Sequence, residues 1–368
     1  KTLNDHVVEG STSFALMAAI SDRLFLDDLC PPLQQRLLDV FQRLADDPNA
    51  QCQELDLDIQ DFEVGYSLST EGRELRLRIV YPFLSEVWHN GSGTLFEHEF
   101  DQSHVRRIDF HDDDGEMTLG ADAAALALDH NLRQKYARSI ASLRVLLLIG
   151  PLVMRLDDLR SAIFRADEEA KKVLPGDAAA RIANARGPVK EMMRIRVRRM
   201  ETCWIVSKPD RVVVIFSVHV EDRVDIALGR AFCQEFAEIN RRPADCAPPC
   251  SFSEPRDVPA DLRGTPLLEV PNVGFLALTL TEQVVRNASK ERLYALARPV
   301  MTWRNFFHFH LKHAKSYLHS RIRRRIDQFS QQLARARRPP KKDKEKVRRL
   351  ANGKEFSPQP RAASSNLG

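Results

Sequence analysis

Directly after Pro31-Pro32, apolar side chains recur every three to four residues at Leu33, Leu37, Val40, Phe41 and Leu44, the spacing of one helical face. Proline is tolerated in the first turn of a helix, where its missing N–H has no intrahelical partner to lose, so an amphipathic helix is expected to open there. The period then drops to two. Leu55-Asp-Leu-Asp-Ile, Phe62-Glu-Val-Gly-Tyr-Ser-Leu and Glu74-Leu-Arg-Leu-Arg-Ile-Val-Tyr alternate apolar and polar positions as half-buried strands do, with Gly72 turning between the last two. His89-Asn-Gly-Ser-Gly and Asp112-Asp-Asp-Gly have loop composition and flank a weaker strand expected around Thr94 to Phe100. From Ala123 to Phe164 the spacing of Leu126, Leu132, Tyr136, Ile140, Leu143, Leu147 and Leu156 is helical again, and Gly150-Pro151 predicts a break. Residues 1–30 carry an apolar patch of no clean period and read as an N-terminal extension.

Pro175-Gly176 and Gly187-Pro188 bracket small and charged residues that read as a linker over 175–189. A second strand group follows: Met193-Arg-Ile-Arg-Val-Arg-Arg-Met, Cys203-Trp-Ile-Val-Ser and Arg211-Val-Val-Val-Ile-Phe-Ser-Val-His-Val, the last two joined by the turn signal Lys208-Pro-Asp. Ile226, Ala227, Ala231, Phe232, Phe236 and Ile239 share one helical face. A loop from Arg242 to Pro271 encloses a short strand near Cys250 to Phe252, and Gly274-Phe-Leu-Ala-Leu-Thr-Leu-Thr is a last strand. Two successive sheet-plus-helix modules, 31–174 and 190–299, predict an α+β fold.

Between Val300 and Arg338 there is neither glycine nor proline. At about 1.5 Å per residue that is a helix near 60 Å long, longer than a small domain is wide. On it Leu311, Leu318, Ile322, Ile326, Phe329 and Leu333 advance by seven or by three and four. Such a seam is too narrow for a globular core and has the width that one long partner helix covers. Lys312, Lys315, Arg321, Arg323, Arg324, Arg325, Arg335, Arg337 and Arg338 surround the seam with positive charge, a surface for an acidic partner. Past Pro339-Pro340 the run Lys-Lys-Asp-Lys-Glu-Lys-Val-Arg-Arg is of low complexity, and 339–368 reads as a basic flexible tail.

Composition narrows the class. The chain has 368 residues, 43% of them hydrophobic and 29% charged, which suits a globular protein of about two domains. Its longest apolar run, Val145 to Met154, is about half of what a membrane span needs and reads as a buried helix. The first residues show no basic stretch leading into an apolar core, so no signal peptide is expected. Six scattered cysteines fit a reducing, intracellular setting. The net charge of +4 hides an asymmetry: residues 321–355 hold 14 Lys and Arg against 4 acids, which leaves residues 1–320 at about −7.

Candidate chemistry is sparse. No glycine-rich phosphate loop is present, and Gly91-Ser-Gly93 alone lacks a following helix start. His308, His310 and His313 resemble a metal cluster, but on a helix His308 and His310 point about 200° apart, so only His310 and His313 share a face. These histidines read instead as part of a half-buried face with Trp303, Phe306, Phe307 and Phe309. Cys246 and Cys250 lack a second pair, and Asp112, Asp113, Asp114 and Glu116 lack the remaining positions of a calcium loop. No catalytic residue, cofactor or metal ligand is assigned.

In the second half, Trp204-Ile-Val-Ser-Lys-Pro-Asp-Arg-Val-Val-Val-Ile-Phe-Ser, Gly229-Arg-Ala-Phe-Cys-Gln-Glu-Phe, Gly274-Phe-Leu, Arg286-Asn-Ala-Ser and Arg304-Asn-Phe-Phe-His-Phe-His-Leu-Lys-His-Ala-Lys-Ser-Tyr-Leu-His-Ser-Arg-Ile resemble the subunit 2 family of the actin-related protein 2/3 complex. Ala336-Arg337 and Gly353-Lys-Glu-Phe-Ser add to the resemblance, which covers about residues 190–357. It implies a non-catalytic cytoplasmic scaffold of the actin cytoskeleton. In such a scaffold the seam Leu311, Leu318, Ile322, Ile326, Phe329 and Leu333 would pair with a helix of subunit 4. Lys312, Lys315, Arg321, Arg323, Arg324, Arg335, Arg337 and Arg338 would face the side of the mother actin filament, and the two actin-related proteins would be further partners. The competing reading is a nucleic-acid-binding adaptor that uses the basic helix and tail. It asks for aromatic side chains interleaved with the basic ones, and here the aromatics lie mainly before Arg321.

Overall fold

Pro31–Asp46 is a helix whose buried residues are Leu33, Leu37, Val40, Phe41 and Leu44, the five that its spacing singles out. The computed structural model describes residues 29–47, 55–61, 64–71, 74–100, 105–111, 115–172, 178–239, 248–267 and 269–336, together with 348–349 and 355–356. Residues 1–28 of the N-terminal extension, the Gly72 turn, Cys246, Arg337, Arg338 and most of the basic tail lie outside these residues. Residues up to Lys315 cluster as one unit and Ser316 onward as a second.

In the first unit, β1 (Leu55–Asp61), β2 (Val64–Glu71), β3 (Glu74–Val80), β4 (Val105–His111) and β5 (Glu116–Asp122) form an antiparallel sheet in the order β1-β2-β3-β5-β4. A second antiparallel sheet joins β6 (Met193–Arg198), β7 (Glu201–Ser207), β8 (Arg211–Val218), β9 (Cys250–Ser253) and β10 (Gly274–Thr281) in the order β6-β7-β8-β10-β9. The two orders are the same. The helices that follow also correspond. After β5 come Ala123–Leu128, a 12-residue helix His130–Ala141 capped by Asp129, a bend at Ser142 and the helix Leu143–Ala170. After β10 come Glu282–Val285, a 12-residue helix Lys290–Met301 capped by Ser289, a bend at Thr302 and the helix Trp303–Ala336. Ser142 (φ −94°, ψ 2°) and Thr302 (φ −92°, ψ 2°) bend alike. The fold is α+β, built twice.

Leu143–Ala170 is the central helix of this unit. Leu147, Leu152, Leu156, Leu159, Ile163 and Ala166 are buried along it, and the larger apolar core runs from Leu33 to side chains of both sheets, with a smaller one around Trp204, Ile215 and Phe275. The expected break at Gly150-Pro151 does not occur. Proline cannot donate to the carbonyl four residues back, but Ser92 Oγ donates to Leu147 O at 2.5 Å and takes over that bond. Gly150 is the crossing point: a Cβ there would collide with Ser92.

The strand expected at Thr94 to Phe100 is also overturned. Leu84 to Glu99 is helical, with a kink at Asn90 and Gly91, where Gly91 takes φ +112°. Leu95 and Phe96 are adjacent and both buried, whereas a strand sends adjacent residues to opposite faces. The strands of this region are β4 and β5 instead, with Met117, Leu119 and Ala121 of β5 turned inward. Within the span read as a linker, Ala178–Arg186 is a helix that packs on Leu143–Ala170.

The long C-terminal helix begins at Trp303 rather than Val300. Its preceding bend needs no glycine, because the Thr302 N–H and hydroxyl both donate to Arg298 O, at 2.9 and 2.8 Å. Pro299 lies inside the helix before it. In the second unit, a pair of two-residue strands, β11 (Arg348–Arg349) and β12 (Glu355–Phe356), interrupts what reads as a flexible tail.

Candidate functional site

Trp303, Phe307 and Leu311 recur every four residues at the start of the long helix and are buried. The rings of Trp303 and Phe307 lie 5.3 Å apart; Phe216 of β8 stacks on Trp303 at 6.0 Å, and Phe232 of the helix Arg223–Ile239 meets Phe307 edge-on at 5.5 Å. Polar contacts fix the same turns. Arg304 Nε donates to Glu201 Oε1 at 2.7 Å, and Arg304 Nη2 donates to His219 O at 3.0 Å. Lys315 Nζ reaches Asp222 at 2.6 Å and Asp225 at 2.9 Å. Hydrogen bonding to these two carboxylates holds the Lys315 ammonium above its ordinary pKa.

Two sequence expectations change here. Leu311, expected on the partner seam, is 3% exposed and belongs to the chain's own core. A side chain already covered from within has no apolar surface left to give to another helix. Lys315, expected to face the filament, spends its charge on Asp222 and Asp225. Lys312 is exposed.

His308 and His310 follow the half-buried aromatic reading, whereas His313 and Phe309 are exposed. His310 stacks on Phe232 with ring centroids 6.0 Å apart, and His313 stacks on Phe309. Burial pushes His308 down to about 4, with repulsion from Lys312, Arg304 and Arg198 adding to it. Among the described residues no three His, Cys, Asp or Glu side chains converge as a metal-binding group. Cys203, Cys233 and Cys250 are buried thiols; burial raises all three, Cys233 and Cys250 to about 12. Buried thiols of this kind are unreactive.

From Ser316 to Ala336, in the second unit, every residue is exposed. Leu318, Ile322, Ile326, Phe329 and Leu333 are 40%, 49%, 58%, 59% and 55% exposed. Their steps of four, four, three and four keep them on one side of the helix. Such a strip costs about 25 cal/mol for each Å² left in water. Contiguous apolar strips on a protein surface mark interaction sites. Arg321 lies over the ring of Tyr317 at 5.7 Å, and Arg321, Arg323, Arg324 and Arg335 are exposed around the strip. Among the described residues no single helix is long and apolar enough to cross a membrane.

The sequence legibly marks the seam. What it does not reveal is where the seam starts, because Leu311 and Leu318 look alike by spacing. Only the aromatic run Trp303, Phe306, Phe307 signals that the first turns are committed to the chain's own core.

Residues 77–340 match the family described as "Arp2/3 complex, 34 kD subunit p34-Arc". The chain is 34% identical over 169 residues to "Actin-related protein 2/3 complex subunit 2" of Schizosaccharomyces pombe, a stretch covering 45% of this chain and 51% of that protein. It is 30% identical over 174 residues to the protein of the same name from Dictyostelium discoideum, covering 47% of this chain and 56% of that one. The chain thus spans about half the length of the curated relatives it matches.

Proposed function

The chain belongs to the family of the 34 kD subunit of the Arp2/3 complex, p34-Arc, and on that premise we propose that it is a non-catalytic core subunit of such a complex. Its activity is to hold other chains in place during branched-actin nucleation, in the cytoplasm at the actin cytoskeleton. Leu318, Ile322, Ile326, Phe329 and Leu333 take a long helix of subunit 4. Lys312, Arg321, Arg323, Arg324 and Arg335, followed in sequence by Arg337 and Arg338, offer positive charge to the side of the mother filament. The two actin-related proteins and the remaining subunits are further partners.

The observation that carries this reading is the bare seam, set beside its counterpart in the first module. Leu143–Ala170 follows the same strand order and the same bend, and buried positions recur along it as far as Ala166. In Trp303–Ala336 burial stops at Leu311. A helix that lacks the cover its counterpart has needs another chain to supply it. The nucleic-acid reading gains nothing from family membership, and past Arg321 the described part of the helix offers Phe329 as its one aromatic side chain, already part of the seam.

The test is isolation of the tagged full chain from its own cells. Recovery of the actin-related proteins and the other subunits in fixed ratio supports the reading. Recovery of RNA, or of the chain alone, overturns it.

A further inference from the structure

The helix Leu143–Ala170, the end of the helix Ala178–Arg186 and the turn between β7 and β8 enclose a cleft of about 310 Å³. Five cations line it, Arg155, Arg165, Arg186, Lys190 and Lys208, against one carboxylate, Asp158. Two of the five find carboxylates at its margin: Arg186 reaches Glu282 at 3.0 Å and Lys208 reaches Asp261 at 2.6 Å. Arg155 shares Asp158 at 3.5 Å. Arg165 donates to the carbonyl oxygens of Ala185 and Arg186, which orient its guanidinium and cancel none of its charge. Lys190 is exposed at the rim, where Gly187 (φ +77°) turns the chain out of the helix Ala178–Arg186. Among the described residues, five cations against three carboxylates leave an excess of two positive charges.

We propose that this cleft is an anion site for a phosphate-bearing small molecule. A phosphate monoester brings up to two negative charges near neutral pH, which matches the excess charge. A single carboxylate matches half of it. Arg165 and Lys190 supply the uncompensated charge. The phosphate comes either from a free inositol polyphosphate or from a phosphoinositide headgroup in a membrane.

The probes are inositol hexakisphosphate, followed by calorimetric titration, and phosphatidylcholine vesicles containing phosphatidylinositol 4,5-bisphosphate, followed by sedimentation. Both are applied to the full chain isolated with its companions, with citrate as a phosphate-free polyanion. The comparison is Arg165→Ala with Lys190→Ala, two exposed positions, and separately Lys190→Glu. Saturable binding to either phosphate probe, weakened tenfold or more in the double variant and in Lys190→Glu at unchanged melting temperature, supports the site. Soluble binding alone assigns the free ligand, and vesicle binding assigns the headgroup. Absence of saturable binding, equal affinity of wild type and variants, or citrate binding as tight as phosphate overturns it.

Discussion

Arg304 and Glu201 form a buried ion pair that pins the first turn of the long helix to the second sheet: Arg304 Nε lies 2.7 Å from Glu201 Oε1, with the two side chains 12% and 3% exposed. The same carboxylate accepts the His219 N–H at 3.0 Å, and Arg304 returns a bond to His219 O. The direction of the helix at its start is therefore set by a closed polar ring as well as by Trp303 and Phe307.

Breaking this pair from one side leaves Glu201 buried with only the more distant Arg198, 3.8 Å away, as its cation. Arg304→Met is therefore expected to cost up to about 3–5 kcal/mol. Adding Glu201→Gln should restore part of the loss. Urea unfolding of the two single variants and the double variant measures the coupling, and strict additivity of the singles would show that the pair does not act as a unit.

The proposed filament surface is tested by charge. Arg321, Arg323 and Arg324 are exposed, so each single change to Ala should be nearly silent, at about 0.2–1 kcal/mol. Reversing all three to Glu should weaken co-sedimentation of the intact complex with actin filaments tenfold or more, since every 1.4 kcal/mol is a factor of ten. The loss should be largest at low salt, where screening is weakest. Lys315→Glu should instead disturb Asp222 and Asp225 within the chain. Unchanged filament binding by the triple variant would place the contact on another surface.

His308 links stability to pH. Its pKa is about 4 in the folded chain and about 6.5 for an unfolded imidazole. Between those values the unfolded state binds a proton that the folded state refuses, so stability falls as pH drops from about 6.5 toward about 4 and levels off below. His308→Gln removes that titration and should flatten this part of a melting-temperature profile. Superimposable profiles would show that the imidazole is not held neutral.

How much of this was legible in the sequence depends on which residues carried the signal. Periodicity exposed the first helix through Leu33 to Leu44, and eight of the ten strands of the two sheets were legible, β1, β2, β3 and β6 by alternation and the others as short apolar runs bounded by turn residues. It misread Gly150-Pro151, where a distant residue, Ser92, supplies the bond that proline removes and fits only because position 150 lacks a Cβ. Thr302 and Ser142 bend their helices through local bonds and carry no glycine or proline to announce it. The basic cleft was invisible for a different reason: Arg155 and Arg165 of one helix, Lys190 and Lys208 come from three separate stretches that only the folded chain brings together.

Assembly through the seam is the central claim, and Ile322→Asp with Phe329→Asp tests it most directly. Both positions are exposed in the chain itself, 49% and 59%, so the substitutions leave its own core untouched. Against a partner helix they would bury unpaired carboxylates, at several kcal/mol each. The measurement is quantitative recovery of the other subunits with the tagged chain, wild type beside the double variant. The account predicts that subunit 4 and the actin-related proteins are lost from the variant while its two sheets remain folded by circular dichroism; full recovery of the complex by a folded variant would contradict it.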